Sequence, residues 1–175
     1  CLLICESVAA ALDFAWNNHG IVHCDIKPEN IMINRDGVVK LLDLGISHRY
    51  EHKEGPQSVP DHVLGTPAYI SPEQVYGDVE LDCRSDVYSL AATLYHLSTG
   101  RTHCSETTQA RDPRTYRPSL SEGFCQLLEA MLVKNRDFRI ASWSDVFQMC
   151  QQIEAGNSFA PRDVTAASSS LKLLS

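Results

Sequence analysis

The residues best equipped for chemistry are crowded into His23-Cys24-Asp25-Ile26-Lys27-Pro28-Glu29-Asn30 and, a short way on, Asp43-Leu44-Gly45. Asp25 and Asp43, with Lys27 and Asn30, set two acids, a lysine and an amide within one short span, flanked by segments that read as strands. Hard oxygen donors suit a divalent cation that keeps part of its hydration shell. A carboxylate within reach of a hydroxyl can take its proton. Together these groups could hold a metal-bound triphosphate and orient a hydroxyl beside it.

Such a set works only if the chain folds back on itself. Cys5, Val8, Leu12, Ala15 and His19 recur at helical spacing, with Cys1 one turn earlier, so the opening reads as an amphipathic helix. Gly20 stands where a left-handed helix end is wanted. Ile21-Val22 is a short extended piece leading into the chemical loop. Residues 30–34 and 38–44 are β-rich and are separated by Arg35-Asp36-Gly37, a hairpin signal. The hairpin is expected to bring Asp43 back alongside Asn30, since paired strands lie about 5 Å apart.

Residues 46–67 are polar, lack a period and carry Gly55-Pro56 and Pro60, so a long functional or disordered loop is expected. Ser85 or Asp86 can cap a helix reaching about Thr99, with Gly100 at its end. Val87, Leu90, Ala91 and Leu94 form one apolar stripe, and Tyr88, Ala92 and Tyr95 another, as in a helix buried on most sides. Residues 101–120 read as irregular. Phe124, Leu127, Leu128, Met131 and Leu132 mark a further helix; Trp143, Val146, Phe147, Cys150 and Ile153 mark the last, with Ser142 as its N-cap.

At 175 residues the chain suits one sizeable core, since domains commonly run about 100–200 residues. Residues 1–155 are expected to form it, and 156–175, rich in Ser and Ala, a linker or tail. A net charge of −7 argues against nucleic acid or an anionic membrane as the main partner. The cysteine count is odd, at 7, and no Cys-x-x-Cys occurs, so neither a disulfide framework nor a zinc site is indicated. A reducing, cytoplasmic compartment is expected, with a membrane tether beyond the tail left open. The most apolar segment, residues 2–16, is broken by Glu6 and Asp13, so no spanning segment is expected within the chain.

The motif series His23 to Asn30, Asp43-Leu44-Gly45 and Ser71-Pro72-Glu73, with Gly65-Thr66-Pro67-Ala68-Tyr69 between the last two, resembles the catalytic loop, metal motif and activation-segment end of Ser/Thr protein kinases. The wording of residues 65–74 and 85–100 is most similar to bacterial members. The resemblance implies a mainly α, kinase-like C-terminal lobe: a helical bundle with short β-hairpins carrying the catalytic and metal-binding loops. It implies transfer of phosphoryl groups from ATP, with Mg²⁺, to Ser or Thr hydroxyls of a protein substrate. Asp25 is then the base and Lys27 the cation beside the transferred phosphate. Asn30 and Asp43 are the Mg²⁺ ligands, and Glu29 a contact to ribose or peptide. Thr66 would accompany Ser/Thr specificity. Glu73 and Arg139 would form a buried ion pair, Asp86 would brace the catalytic loop, and His23 would pack beneath it.

The chain also departs from the pattern. Cys24 replaces the arginine that pairs with a phosphorylated activation segment, so activity independent of loop phosphorylation is expected. Leu44 replaces Phe and Ser71 replaces Ala, both mild changes. Residues 101–120 lack the helix that helps dock substrates. The sequence carries no Gly-rich loop, strand lysine or partner glutamate, so the N-terminal lobe is expected to be absent from this chain, which alone should transfer poorly. The alternatives are a pseudokinase scaffold, disfavoured by the intact Asp25, Lys27, Asn30 and Asp43, and a small-molecule phosphotransferase, disfavoured by the peptide-type segment 65–73.

Overall fold

The computed structural model describes residues 1–43, 48–49, 68–77, 80–103 and 111–156. Helix α1 (Leu2–His19) opens the chain and stops at Gly20, whose φ of 59° is left-handed and whose N–H bonds the Trp16 carbonyl. Its buried stripe is Cys5, Val8, Ala9 and Leu12. Toward the C-terminal end the stripe departs from expectation: His19 is exposed and Ala15 half-buried, while Trp16 packs on the core instead. Strand β1 (Ile21–Val22) follows directly.

Strands β2 (Ile31–Ile33) and β3 (Val39–Leu41) form the expected antiparallel hairpin, in register Ile31 to Leu41. Its turn is built by Asn34, whose Oδ1 accepts from the N–H groups of Asp36 and Val38, and by Gly37 at φ 81°. A two-residue strand β4 (His48–Arg49) pairs with β1, although residues 46–67 carry no strand pattern. Pairing to a distant partner creates this strand, and local periodicity does not encode that.

The helix α2 (Pro72–Val75) is a single turn. Helix α3 (Cys83–Thr99) begins earlier than its sequence suggests: Asp82 is the N-cap, accepting from the Arg84 N–H at 2.9 Å. Ser85 and Asp86 lie inside the helix, because their side chains are turned inward to other partners. Every residue from Ser85 to Tyr95 is buried. Valine, serine, threonine and tyrosine are weak helix formers, by tenths of a kcal/mol each. Burying a Leu or Val contributes about 1.5–3 kcal/mol, so packing decides this helix.

After a 3₁₀ turn at Pro113–Thr115 come α4 (Glu122–Met131) and α5 (Trp143–Glu154). Ser121 and Ser142 cap them, accepting from the N–H groups of Phe124 and Asp145. Phe124, Leu127, Leu128, Met131 and Leu132 are all buried, whereas Phe147 of α5 is exposed. Helix α1 packs on α5, α5 on α4, and α4 on α3, which stands at the centre as the pillar of a mostly helical fold. No helix among the described residues is long and apolar enough to cross a membrane. Leu44, Gly45, most of the loop 46–67, Cys104 and the tail from residue 157 lie outside the described residues.

Candidate active site

The pillar α3 presents its first and third turns to the loop that follows β1. Asp86 is buried, and its two oxygens accept from the backbone N–H groups of His23 (2.7 Å) and Cys24 (2.9 Å). Burial pushes its carboxyl up, to about 7, against the downward pull of those two donors. Two turns further on, Thr93 donates its hydroxyl to the Ile26 carbonyl at 3.2 Å. The loop is thereby held by its backbone, leaving the side chains of Asp25 and Lys27 for other work. Cys24 is buried and sits at φ 68°, a left-handed conformation that costs a non-glycine residue free energy.

His23, fully buried, is fixed in one tautomer. The Asp25 N–H donates to Nδ1 (3.3 Å), so Nε2 carries the hydrogen and donates to the Leu42 carbonyl at 3.1 Å. Burial lowers its pKa, partly countered by the bond to Leu42. The ring thus links the catalytic-type loop to the end of the hairpin.

Asp25 is the point of convergence. Its Oδ2 accepts from Lys27 Nζ at 2.6 Å and from Asn30 Nδ2 at 3.0 Å, and Asn30 Nδ2 also bonds the Asp25 carbonyl at 2.8 Å. Both carboxylate and ammonium are largely shielded from solvent, with side-chain exposures of 11% and 23%. Asn30 is held by a 3₁₀ turn, Pro28–Asn30, and not by the strand start expected from sequence. Committing its amide nitrogen to Asp25 leaves Oδ1 as the ligand atom it can offer.

The Leu42 N–H donates to the Asn30 carbonyl at 2.8 Å, one rung past the β2–β3 ladder. Asp43 comes immediately after this rung, exposed and left-handed at φ 62°. Glu29 is exposed, and its charge raises the Tyr69 hydroxyl pKa, a smaller effect than that of burial. Thr66 lies outside the described residues.

Glu73 and Arg139 meet in a bidentate pair, 2.6 and 3.0 Å, with side-chain exposures of 4% and 0%. Arg139 also donates to the carbonyls of Val133, Lys134 and Arg84, and its guanidinium lies 5.0 Å from the centre of the Tyr88 ring. Glu73 takes a further bond from the Ser85 hydroxyl at 2.8 Å. Burial by itself would raise the Glu73 carboxyl; the guanidinium overrides that and holds it below its ordinary value.

Sequence reasoning missed Ser85, Thr93 and Gln74 as parts of this scaffold. For Gln74 a signal existed, since Ser71-x-x-Gln74 is a capping-box pattern. For Thr93, one more residue on an all-buried helix, there was none.

Among the described residues no three His, Cys, Asp or Glu side chains form a self-sufficient metal cage. An amide oxygen and one carboxylate fit a Mg²⁺ ion whose remaining ligands are phosphate oxygens and water. Comparisons with known proteins identify the family. The protein kinase domain model matches residues 1–153. A probable serine/threonine-protein kinase PknB of Bifidobacterium longum is 35% identical over 158 residues, 83% of this chain and 22% of the relative. A probable serine/threonine-protein kinase of Streptomyces coelicolor is 34% identical over 173 residues, 91% of this chain and 25% of the relative. PknB of Mycobacterium tuberculosis is 46% identical over 90 residues, 51% of this chain and 14% of the relative. The chain therefore spans about a quarter or less of the length of these relatives. By the extent of the domain match, the chain belongs to the protein kinase family, where its relatives are bacterial serine/threonine-protein kinases.

Proposed function

We propose that residues 1–155 form the part of a serine/threonine kinase that carries the base and metal ligands, and that 156–175 form a tail. The observation that carries this reading is the convergence of Lys27 and Asn30 on one oxygen of Asp25, with Asp43 delivered by the hairpin. Mg²⁺–ATP, when bound, supplies the phosphoryl group. Asp25 Oδ1, the oxygen not used by Lys27 and Asn30, accepts the proton of a substrate hydroxyl. Lys27 stays beside Asp25 and offers positive charge where negative charge gathers on the transferred group. Asn30 Oδ1 and Asp43 are the metal ligands, Glu29 meets ribose or peptide, and Thr66 accompanies selection of Ser or Thr. His23, Asp86, Glu73 and Arg139 keep these groups in place.

Protein kinases also need a phosphate-covering Gly-rich loop and a Lys–Glu pair, and no Gly-rich loop motif is read in this sequence. Efficient transfer is therefore assigned to the chain acting with such a lobe. The test is transfer of labelled γ-phosphate to a Ser/Thr protein substrate by the longest natural polypeptide that contains these residues. Asp25→Asn should lower kcat by roughly 10²–10⁴-fold, with Mg²⁺–ATP binding retained. Equal activity in wild type and Asp25→Asn would sink the assignment. Nucleotide binding without any transfer would favour a scaffold.

A further inference from the structure

Cys24 is held from both sides. Its N–H is taken by Asp86, and its carbonyl accepts from Gln74 Nε2 at 3.1 Å. Gln74 is buried, and Ser71 completely so. Gln74 Oε1 accepts from the Ser71 N–H at 3.2 Å and from the Ser71 hydroxyl at 2.9 Å. The opposite amide orientation would set its NH₂ against the Ser71 N–H and its oxygen against the Cys24 carbonyl, so these partners fix it. Neighbouring side chains of the one-turn α2 thus reach different places. Glu73 ties it to α3 and Arg139, and Gln74 ties it to the backbone beside Asp25.

We infer that Gln74 is a positioning residue for Asp25. A non-glycine residue in the left-handed region returns to extended or helical backbone unless its peptide groups are pinned. At Cys24, Asp86 and Gln74 are two such pins, and Asp25 follows directly in the chain. Release of the Cys24 carbonyl leaves the peptide plane between residues 24 and 25 to the longer bond from the Asp25 N–H to His23 Nδ1 at 3.3 Å, and rotation of that plane swings the Asp25 carboxylate away from Lys27 and Asn30. The tie consists of neutral amides and a hydroxyl, so it joins the end of the activation segment to the catalytic loop without a phosphate. It stands at the position where Cys24 cannot provide an arginine for one. The word "positioning" rests on the function proposed above; the tie itself does not.

Gln74→Met removes both amide functions at nearly equal volume, and Gln74→Leu is the second variant. Amide hydrogen exchange of the full chain gives a readout independent of activity. In both variants the amides of Cys24 and Asp25 should exchange about tenfold faster, the scale of one lost buried hydrogen bond, with α3 and α5 unchanged. In the transfer assay kcat should fall about tenfold with the KM for Mg²⁺–ATP unchanged, on the same ground. Unchanged exchange at residues 24 and 25 overturns the inference. So does faster exchange spread evenly through α3 and α5, which makes Gln74 ordinary packing. A wild type without transfer sinks the functional proposal alone, and local exchange still decides the tie.

Discussion

His23 must stay neutral to accept the Asp25 N–H at Nδ1 while donating from Nε2. Its pKa in the folded chain is pushed below the ordinary imidazole value by burial. Between the two values the unfolded chain binds more protons, so this contribution to stability is complete above pH ~6.5 and declines as pH falls below it. The buried His103 acts in the same sense, and Asp86, with its carboxyl pushed up to about 7, acts in the opposite one. The informative measurement is therefore a difference. The Tm gap between wild type and His23→Gln should narrow from pH 7.5 to 5.5, and a constant gap would refute the tautomer assignment. At Asp43 the proposed role is liganding metal, so Asp43→Ala should abolish Mg²⁺-dependent nucleotide binding. Retained Mg²⁺ dependence would move the metal elsewhere.

At the scale of elements, α2 is too short to be stable by itself, since an isolated helix of fewer than about 12 residues is marginal. Its fixed place comes from Glu73, with Gln74 as a second tie. Breaking one partner of a buried, hydrogen-bonded pair costs about 3–5 kcal/mol, because the other charge is left unpaired. Glu73→Gln and Arg139→Met should each destabilise by about that much in urea unfolding, and the double variant by less than the sum. Glu73 has a depressed carboxyl, so its contribution is present above its ordinary pKa and is lost as pH falls through the depressed value. For α5 the cap is the controlling feature, and Ser142→Ala should cost about 1 kcal/mol. A neutral Ser142→Ala would mean that packing on α1 and α4 alone fixes this end.

For the molecule as a whole, α1, α4 and α5 close around α3, so a core deletion should be felt as loss of one cooperative unit. Leu12→Ala, at a site 2% exposed, should cost about 2–5 kcal/mol and lower the urea midpoint of a single transition. Two separate transitions would show that α1 unfolds independently. Function at this scale concerns Cys24. With no arginine there to pair a phosphate, transfer by the full protein should be unchanged by treatment with a phosphatase. A large loss on dephosphorylation would contradict that expectation.

The sequence by itself determined the order of the helices, the Gly20 and Gly100 ends, the Asp36-Gly37 hairpin, and the series of motifs that names the family. These rest on local rules: side-chain period, caps, turn dihedrals and fixed spacing. Tertiary structure decided what no local rule contains. It set Asp82, not Ser85 or Asp86, as the cap of α3, because the inward side chains had partners far away in the chain. It made β4 from two polar residues by pairing them with β1. It also recruited Thr93 and Gln74 to the backbone around Asp25. A buried hydrogen bond depends on where two distant segments meet, and only the packed fold fixes that.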